Sequence, residues 1–197
     1  MAFYSEQELS EIGFAKYGIN VLISNKASIY NPSKISIASN VRIDDFCVLS
    51  AGEGGIEICN YVHIAVFCSL IGAGKITLSN FCGLSSRVSI YSSNDDYSGQ
   101  FLTGPTVPSQ YTGVQHADVF LGKHVIVGSG SVILPAVTLE EGVAIAALSV
   151  ISKNCAMFGI YSGSRRISER KKNILELEKK ILPMYSGPRN PDNSLRW

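Results

Sequence analysis

Between Val119 and Cys155 the apolar residues recur at a spacing of six. Leu121, Val127, Ile133, Leu139, Ile145 and Ile151 are all branched aliphatics. The residue four beyond each of them, Val125, Ser131, Val137, Val143, Ser149 and Cys155, is small or β-branched. An α-helix repeats near 3.6 residues and an amphipathic strand alternates by two, so neither produces this pattern. A hexapeptide β-helix does. Each hexapeptide supplies one short strand and a turn, and three of them close a triangular coil. The aliphatics stack along the axis as a dry core, and the small residues let the chain turn the corner. One coil cannot bury its own apolar face, so coils must stack. Gly122, Gly128, Gly130 and Gly142 fall in the turns, where glycine is expected to supply positive φ.

The same period runs upstream. It is loose at Ile23 and Ile29 and clear at Ile37, Ile43 and Leu49, then at Ile58, Ile64 and Leu70, and again at Leu78, Leu84 and Ile90. Val41, Cys47, Val62, Cys68, Cys82 and Val88 hold the small positions. The fold class expected is all-β, a parallel β-helix over residues 21–160. Residues 91–118 interrupt it with a polar, tyrosine-bearing loop. A loop of that length inside a compact repeat tends to carry function. Before the ladder, Ser5-Glu6-Gln7-Glu8 reads as a capping box that opens a short helix, making residues 1–20 an N-terminal cap. After it, SRRISERKKNILELEKKIL reads as a C-terminal helix within 161–183, with Ile167, Ile174, Leu177 and Ile181 on one stripe and Pro183 as its stop. Residues 184–197 form a turn-rich tail.

Composition narrows the function. The 197 residues are 46% hydrophobic and 17% charged with a net charge of +1, which gives no basic excess for nucleic acid. No apolar run is long enough for a membrane, and the N-terminus does not resemble a signal peptide, so a cytoplasmic location is expected. Four of the five cysteines occupy small corner positions and read as packed thiols, and Cys59 lies outside them. No Cys/His spacing suits a metal.

The ladder, the single long loop and the C-terminal helix together resemble the hexapeptide acyltransferase superfamily. The run LGKHVIVGSGSVILPAVTLEEGVAIAALSVISK is similar to the maltose/galactoside acetyltransferase branch and to the sugar acetyltransferases of surface-polysaccharide biosynthesis. The resemblance covers roughly residues 30–170. It implies a left-handed coil, a homotrimer with active sites between subunits, and acetyl-CoA as donor. It places the coenzyme along the last coils at Ser129, Ala147, Ser152 and Lys153, with Arg165, Arg166 and Arg170 near its phosphates. Three arginines within six residues also suit phosphate oxygens on charge alone. The family's usual Gly-Val-Pro-Ala before the basic residue is absent, and Gly163-Ser164 runs straight into Arg165-Arg166.

The branch also carries a catalytic histidine early in the long loop. Aligned without a gap from Ile90, that place falls on Asp95, between Asn94 and Asp96. A sugar hydroxyl needs a positioned base, whereas a neutral amine is already nucleophilic, so the missing histidine tilts the acceptor towards an amino sugar, plausibly nucleotide-linked. O-acetylation of a saccharide hydroxyl stays open. Asp95 and His116 are the candidate bases. His63, Asn94, Asp96 and Tyr97 are candidate acceptor contacts, and His124 sits in a regular turn. A zinc hydratase of the γ-carbonic anhydrase kind would need all three histidines to converge, and a non-catalytic scaffold would leave the long loop without a task.

Overall fold

The computed structural model describes residues 2–181, and Pro183 and the tail lie outside them. The chain winds into a parallel β-solenoid of about seven turns. Three sheets form its sides. The first stacks Lys16–Tyr17, Ile35–Ile37, Ile56–Ile58, Ile76–Leu78, Val119–Leu121 and Thr138–Leu139. The second stacks Val21–Ile23, Val41–Ile43, His63–Ile64, Gly83–Leu84, Ile126–Val127, Ala144–Ile145 and Gly159–Ser162. The third runs from Ser28–Tyr30 through Val48–Ala51, Ser69–Gly72, Ser89–Tyr91 and Val132–Ile133 to Val150–Ile151.

The register is the one the period dictates. Ile43, Ile64, Leu84, Val127 and Ile145 lie directly above one another, as do Leu49, Leu70, Ile90, Ile133 and Ile151. Every one of these side chains is at most 4% exposed. Burial of each contributes about 1.5–3 kcal/mol, and the small residues at the corners are as deeply buried. Backbone amides of each coil donate to carbonyls of the next, so rungs cannot shift independently.

The corners depart from the glycine expectation. Gly130 and Gly142 have positive φ, but most left-handed corner positions carry large side chains, among them Phe46, Tyr61, Phe67, Phe81, Arg87, His124 and Leu148. Stacking explains the choice. Tyr61, Phe81 and His124 form a column with ring centroids 4.7 and 5.0 Å apart, and Phe46 lies 5.0 Å from Phe67. These contacts offset the roughly 1–2 kcal/mol that the left-handed conformation costs. Gly122 and Gly128 serve close approach instead, since a Cβ on Gly128 would lie 2.4 Å from the Ala147 amide nitrogen.

At the N-terminus helix α1 spans Glu6–Ile12, with the Ser5 hydroxyl accepting from the Glu8 amide and the Glu8 carboxylate accepting from the Ser5 amide. Leu9 plugs the open end of the core. The ladder already includes Lys16–Tyr17, inside the stretch expected to be cap alone. The C-terminal helix is shorter than its apolar stripe suggested. Gly163, at φ 56°, turns the chain into a hairpin, and Arg165–Glu169 pairs antiparallel with Gly159–Ser162, covering the last sheet edge. Helix α2 is only Asn173–Ile181, and Ile167 sits exposed on the hairpin.

Candidate active site

The corner between the second and third sheets forms a groove parallel to the axis. The Gly130 amide donates to the Ser86 carbonyl, the Leu148 amide to the Ser129 carbonyl, and the Gly163 amide to the Ser149 hydroxyl, so each coil seats its corner on the one before. A hollow of about 300 Å³ opens along it, lined by His63, Ala65, Gly83, Ser85, Ile126 and Ser129 among others. Ser129 and Ala147 are exposed on successive coils of this corner, and Arg165 and Arg166 follow the Gly163 turn with exposed side chains. Ser152 and Lys153 lie beyond the third sheet, after Val150–Ile151, and not at this corner. Arg170 is drawn away from solvent. Its guanidinium donates to the His124 carbonyl at 2.6 Å and the Gly142 carbonyl at 3.3 Å, and burial lowers its pKa. It ties the hairpin to the ladder.

His63 stands at the N-terminal side of the groove. Its Nε2 lies 2.9 Å from a carboxylate oxygen of Asp44, whose other oxygen accepts from Arg42 Nε at 2.7 Å. Asp44 is buried. Burial alone would raise its pKa, but the hydrogen bonds from Arg42 and His63 outweigh it and hold the carboxyl below the usual range. An ionised Asp44 thus fixes the His63 ring in one orientation.

The long loop leaves the third sheet after Tyr91 and returns at Val119. Ser93–Asn94 pairs antiparallel with Gln115–His116 and closes the loop at its base. The Ser93 hydroxyl accepts from the Ala73 amide and lies 2.8 Å from His116 Nδ1. Asp96 is committed to the loop itself. Its carboxylate takes the Ser98 hydroxyl and the amides of Ser98, Gly99, Gln100 and Phe101, and the Ser98 hydroxyl first among them lowers its pKa. These bonds fold the start of the loop around Asp96. Asn94, Asp95 and Tyr97 are exposed beside it.

His124 is withdrawn from chemistry, buried between the Phe81 ring and Glu178 of α2. Among the described residues no group of three or more His, Cys, Asp or Glu side chains converges. A larger hollow of about 410 Å³ on the first sheet is lined by Lys16, Lys34, Lys75 and Glu57 and holds none of the expected site residues. Neither Ser85 nor the pairing of His63 with Asp44 was legible in the sequence. Nothing in the spacing shows that residues 19 apart stack side by side, except the six-residue period once it is read as a coil.

These features define a hexapeptide-repeat β-helix. A maltose O-acetyltransferase from Clostridium difficile 630 shares the fold, with a TM-score of 0.55 at 19% identity over 84% of this chain and 75% of that one. No family model matches the chain. A dTDP-4-amino-4,6-dideoxy-D-glucose acyltransferase from Escherichia coli is 54% identical over 189 residues, 95% of this chain and 98% of its own. AntD, an N-acyltransferase from Bacillus cereus, superposes with a TM-score of 0.89 at 47% identity over 94% of this chain and 98% of that one, in a complex with dTDP and 3-hydroxybutyryl-CoA. A serine-substituted variant of AntD, bound to dTDP-4-amino-4,6-dideoxyglucose and coenzyme A, matches with a TM-score of 0.88 at 47% identity over 92% of this chain and 97% of that one. The chain belongs to the acyl-CoA-dependent sugar acyltransferases of the hexapeptide-repeat fold.

Proposed function

We propose that this protein transfers an acyl group, acetyl in the simplest case, from acyl-CoA to the amino group of a dTDP-linked 4-amino-4,6-dideoxy sugar in the cytoplasm, for surface-polysaccharide assembly. The observation that carries this is the 54% identity, across nearly the whole of both chains, to an enzyme named for that acceptor. The absence of a histidine early in the loop fits an amine acceptor. The groove fits two substrates meeting end to end. The donor lies along Ser129, Ala147, Arg165 and Arg166 on the later coils, and the acceptor approaches from His63 on the earlier ones.

At their junction the neutral amine attacks the thioester carbonyl. The N–C bond forms, the C–S bond breaks, a base takes the proton from nitrogen, and the sulfur leaves as the coenzyme A thiol. Asp95 is the base in this reading. Its carboxylate is exposed at the loop start, clear of the hydrogen bonds that bind Asp96. His116 serves less well. Its Nδ1 lies 2.8 Å from the Ser93 hydroxyl, which itself accepts from the Ala73 amide, so the ring is held at the base of the loop. Ser85 lines the groove where the amine would sit. AntD structures carry substitutions of one aspartate and of one serine, the residue types of Asp95 and Ser85.

Leu148 and Val150 are exposed beside the groove, Leu148 at 85%. A second copy covering them would complete the site, as in a homotrimer. Steady-state kinetics test the assignment of the base. Asp95→Asn lowers kcat by roughly 100-fold or more, within the range for loss of a general base. His116→Ala changes kcat much less. The reverse ranking moves the base to His116.

A further inference from the structure

On the outer face of the second sheet, Arg42, His63, Gly83, Ile126 and Ala144 stand in register on successive coils. Stacked strands lie about 4.8 Å apart, so His63 and Ile126 are walls about 10 Å apart with a bare strand between them. Gly83 is what bares it. Its φ is not in the left-handed region, and a Cβ built there meets nothing nearer than the Ile126 Cγ1 at 4.0 Å. Gly122 and Gly128 differ, since a Cβ on either would strike backbone of the next coil. Neither backbone conformation nor packing therefore requires glycine at 83. A glycine inside a strand weakens it, and one that serves no bulge, tight bend or close backbone contact suits a place where a ligand comes close to the backbone. The two walls differ in kind. One is the His63 ring, clamped by the buried Asp44 carboxylate, and the other is the half-exposed aliphatic chain of Ile126. Ser85 follows two residues along on the same strand line and lines the same hollow.

A pyranose has this form, with C–H faces that accept aliphatic contact and a polar rim that takes hydrogen bonds. We propose that the notch over Gly83 seats the acceptor's sugar ring. Gly83 is then a specificity-determining residue, and Asp44 is a positioning residue that acts by orienting His63. This inference rests on the amino-sugar acceptor named above.

The test is steady-state kinetics with dTDP-4-amino-4,6-dideoxyglucose and acetyl-CoA, each varied in turn. Gly83→Val, and more mildly Gly83→Ala, raises the acceptor KM about 10-fold, the scale of an added methyl-sized clash in a fitted site. The KM for acetyl-CoA stays constant and so does the thermal shift given by coenzyme A, which also reports folding. Asp44→Asn and His63→Gln each raise the acceptor KM about 10-fold, the scale of one lost charge-assisted hydrogen bond. The double variant is no worse than His63→Gln alone, a non-additivity that a merely structural Asp44 would not give. An unchanged acceptor KM in Gly83→Val, or a rise confined to acetyl-CoA, overturns the notch as the sugar seat while wild-type turnover preserves the functional reading. No wild-type turnover with any nucleotide-linked amino sugar overturns the functional reading and the occupant together.

Discussion

Glu178 is the one buried residue of α2, at 7% exposure, and it holds the helix against the ladder. Its carboxylate meets Lys123 Nζ at 2.6 Å and His124 Nε2 at 2.9 Å. Glu178→Ala removes both contacts. The two losses differ in size. Lys123 is 37% exposed on its side chain and can be rehydrated, so its share is small. His124 is 8% exposed and stacked on Phe81, so its Nε2 is left without a partner in a dry site. Leaving such a group unsatisfied costs about 1–3 kcal/mol, and the total expected is about 2 kcal/mol. Glu176→Ala on the same helix removes the same charge from an ion pair in which both side chains are 70% exposed, and should have no measurable effect.

The pH dependence follows from the same contacts. Burial tends to raise the Glu178 pKa, but hydrogen bonds and charge from Lys123 and His124 outweigh it, so the folded-state value lies below the ordinary 4.5. A depressed carboxyl pKa contributes stability above the unfolded-state value and loses it as pH falls through the folded-state value. The difference between wild type and Glu178→Ala should be full at pH 7 and shrink below about pH 4.5. Urea unfolding at fixed protein concentration, with hydrogen exchange across 173–181, reads both effects. Equal behaviour of Glu178→Ala and Glu176→Ala, or a difference that does not shrink in acid, would refute the reasoning.

Two further substitutions probe the ladder. Leu84→Ala, with Ile64 below and Val127 above, should cost about 3–4 kcal/mol in urea unfolding, because hydrogen-bonded rungs cannot collapse into the void. A loss under 1 kcal/mol would mean that the coil relaxes around it. Gly128→Ala forces a Cβ against the Ala147 amide and should cost about 2 kcal/mol while raising the KM for acyl-CoA, since Ser129 and Ala147 share that corner. An acyl-CoA KM that does not move would detach this corner from the donor.

Most of the fold was legible because burial in a β-helix is periodic. Every position from Ile37 to Ile151 that the six-residue spacing marked as inward is buried. Two things escaped it. Glycine was expected to supply the left-handed corners, but Tyr61, Phe81 and His124 supply them as well as Gly130 and Gly142, since stacking between coils is a three-dimensional gain that no single hexapeptide displays. The stretch from Arg165 to Glu169 has helix-like periodicity but becomes a strand, because the open sheet edge beside Gly159–Ser162 supplies partners that an isolated segment lacks. The site was legible in residue types more than in roles. In the chain Asp96 reads as an acceptor contact beside Asp95, whereas in the fold its carboxylate accepts from four loop amides. Asp44 belongs to no motif in the chain, and only the coil brings His63 onto it.

The acceptor proposed for this protein is a nucleotide-linked amine. The direct measurement is thiol release from acetyl-CoA with dTDP-4-amino-4,6-dideoxyglucose in one series and maltose and galactosides in another, with mass spectrometry of the product. Thiol release in the first series alone, with one acetyl group held on nitrogen, is the predicted result. Release with the neutral saccharides and none with the amino sugar would contradict the account.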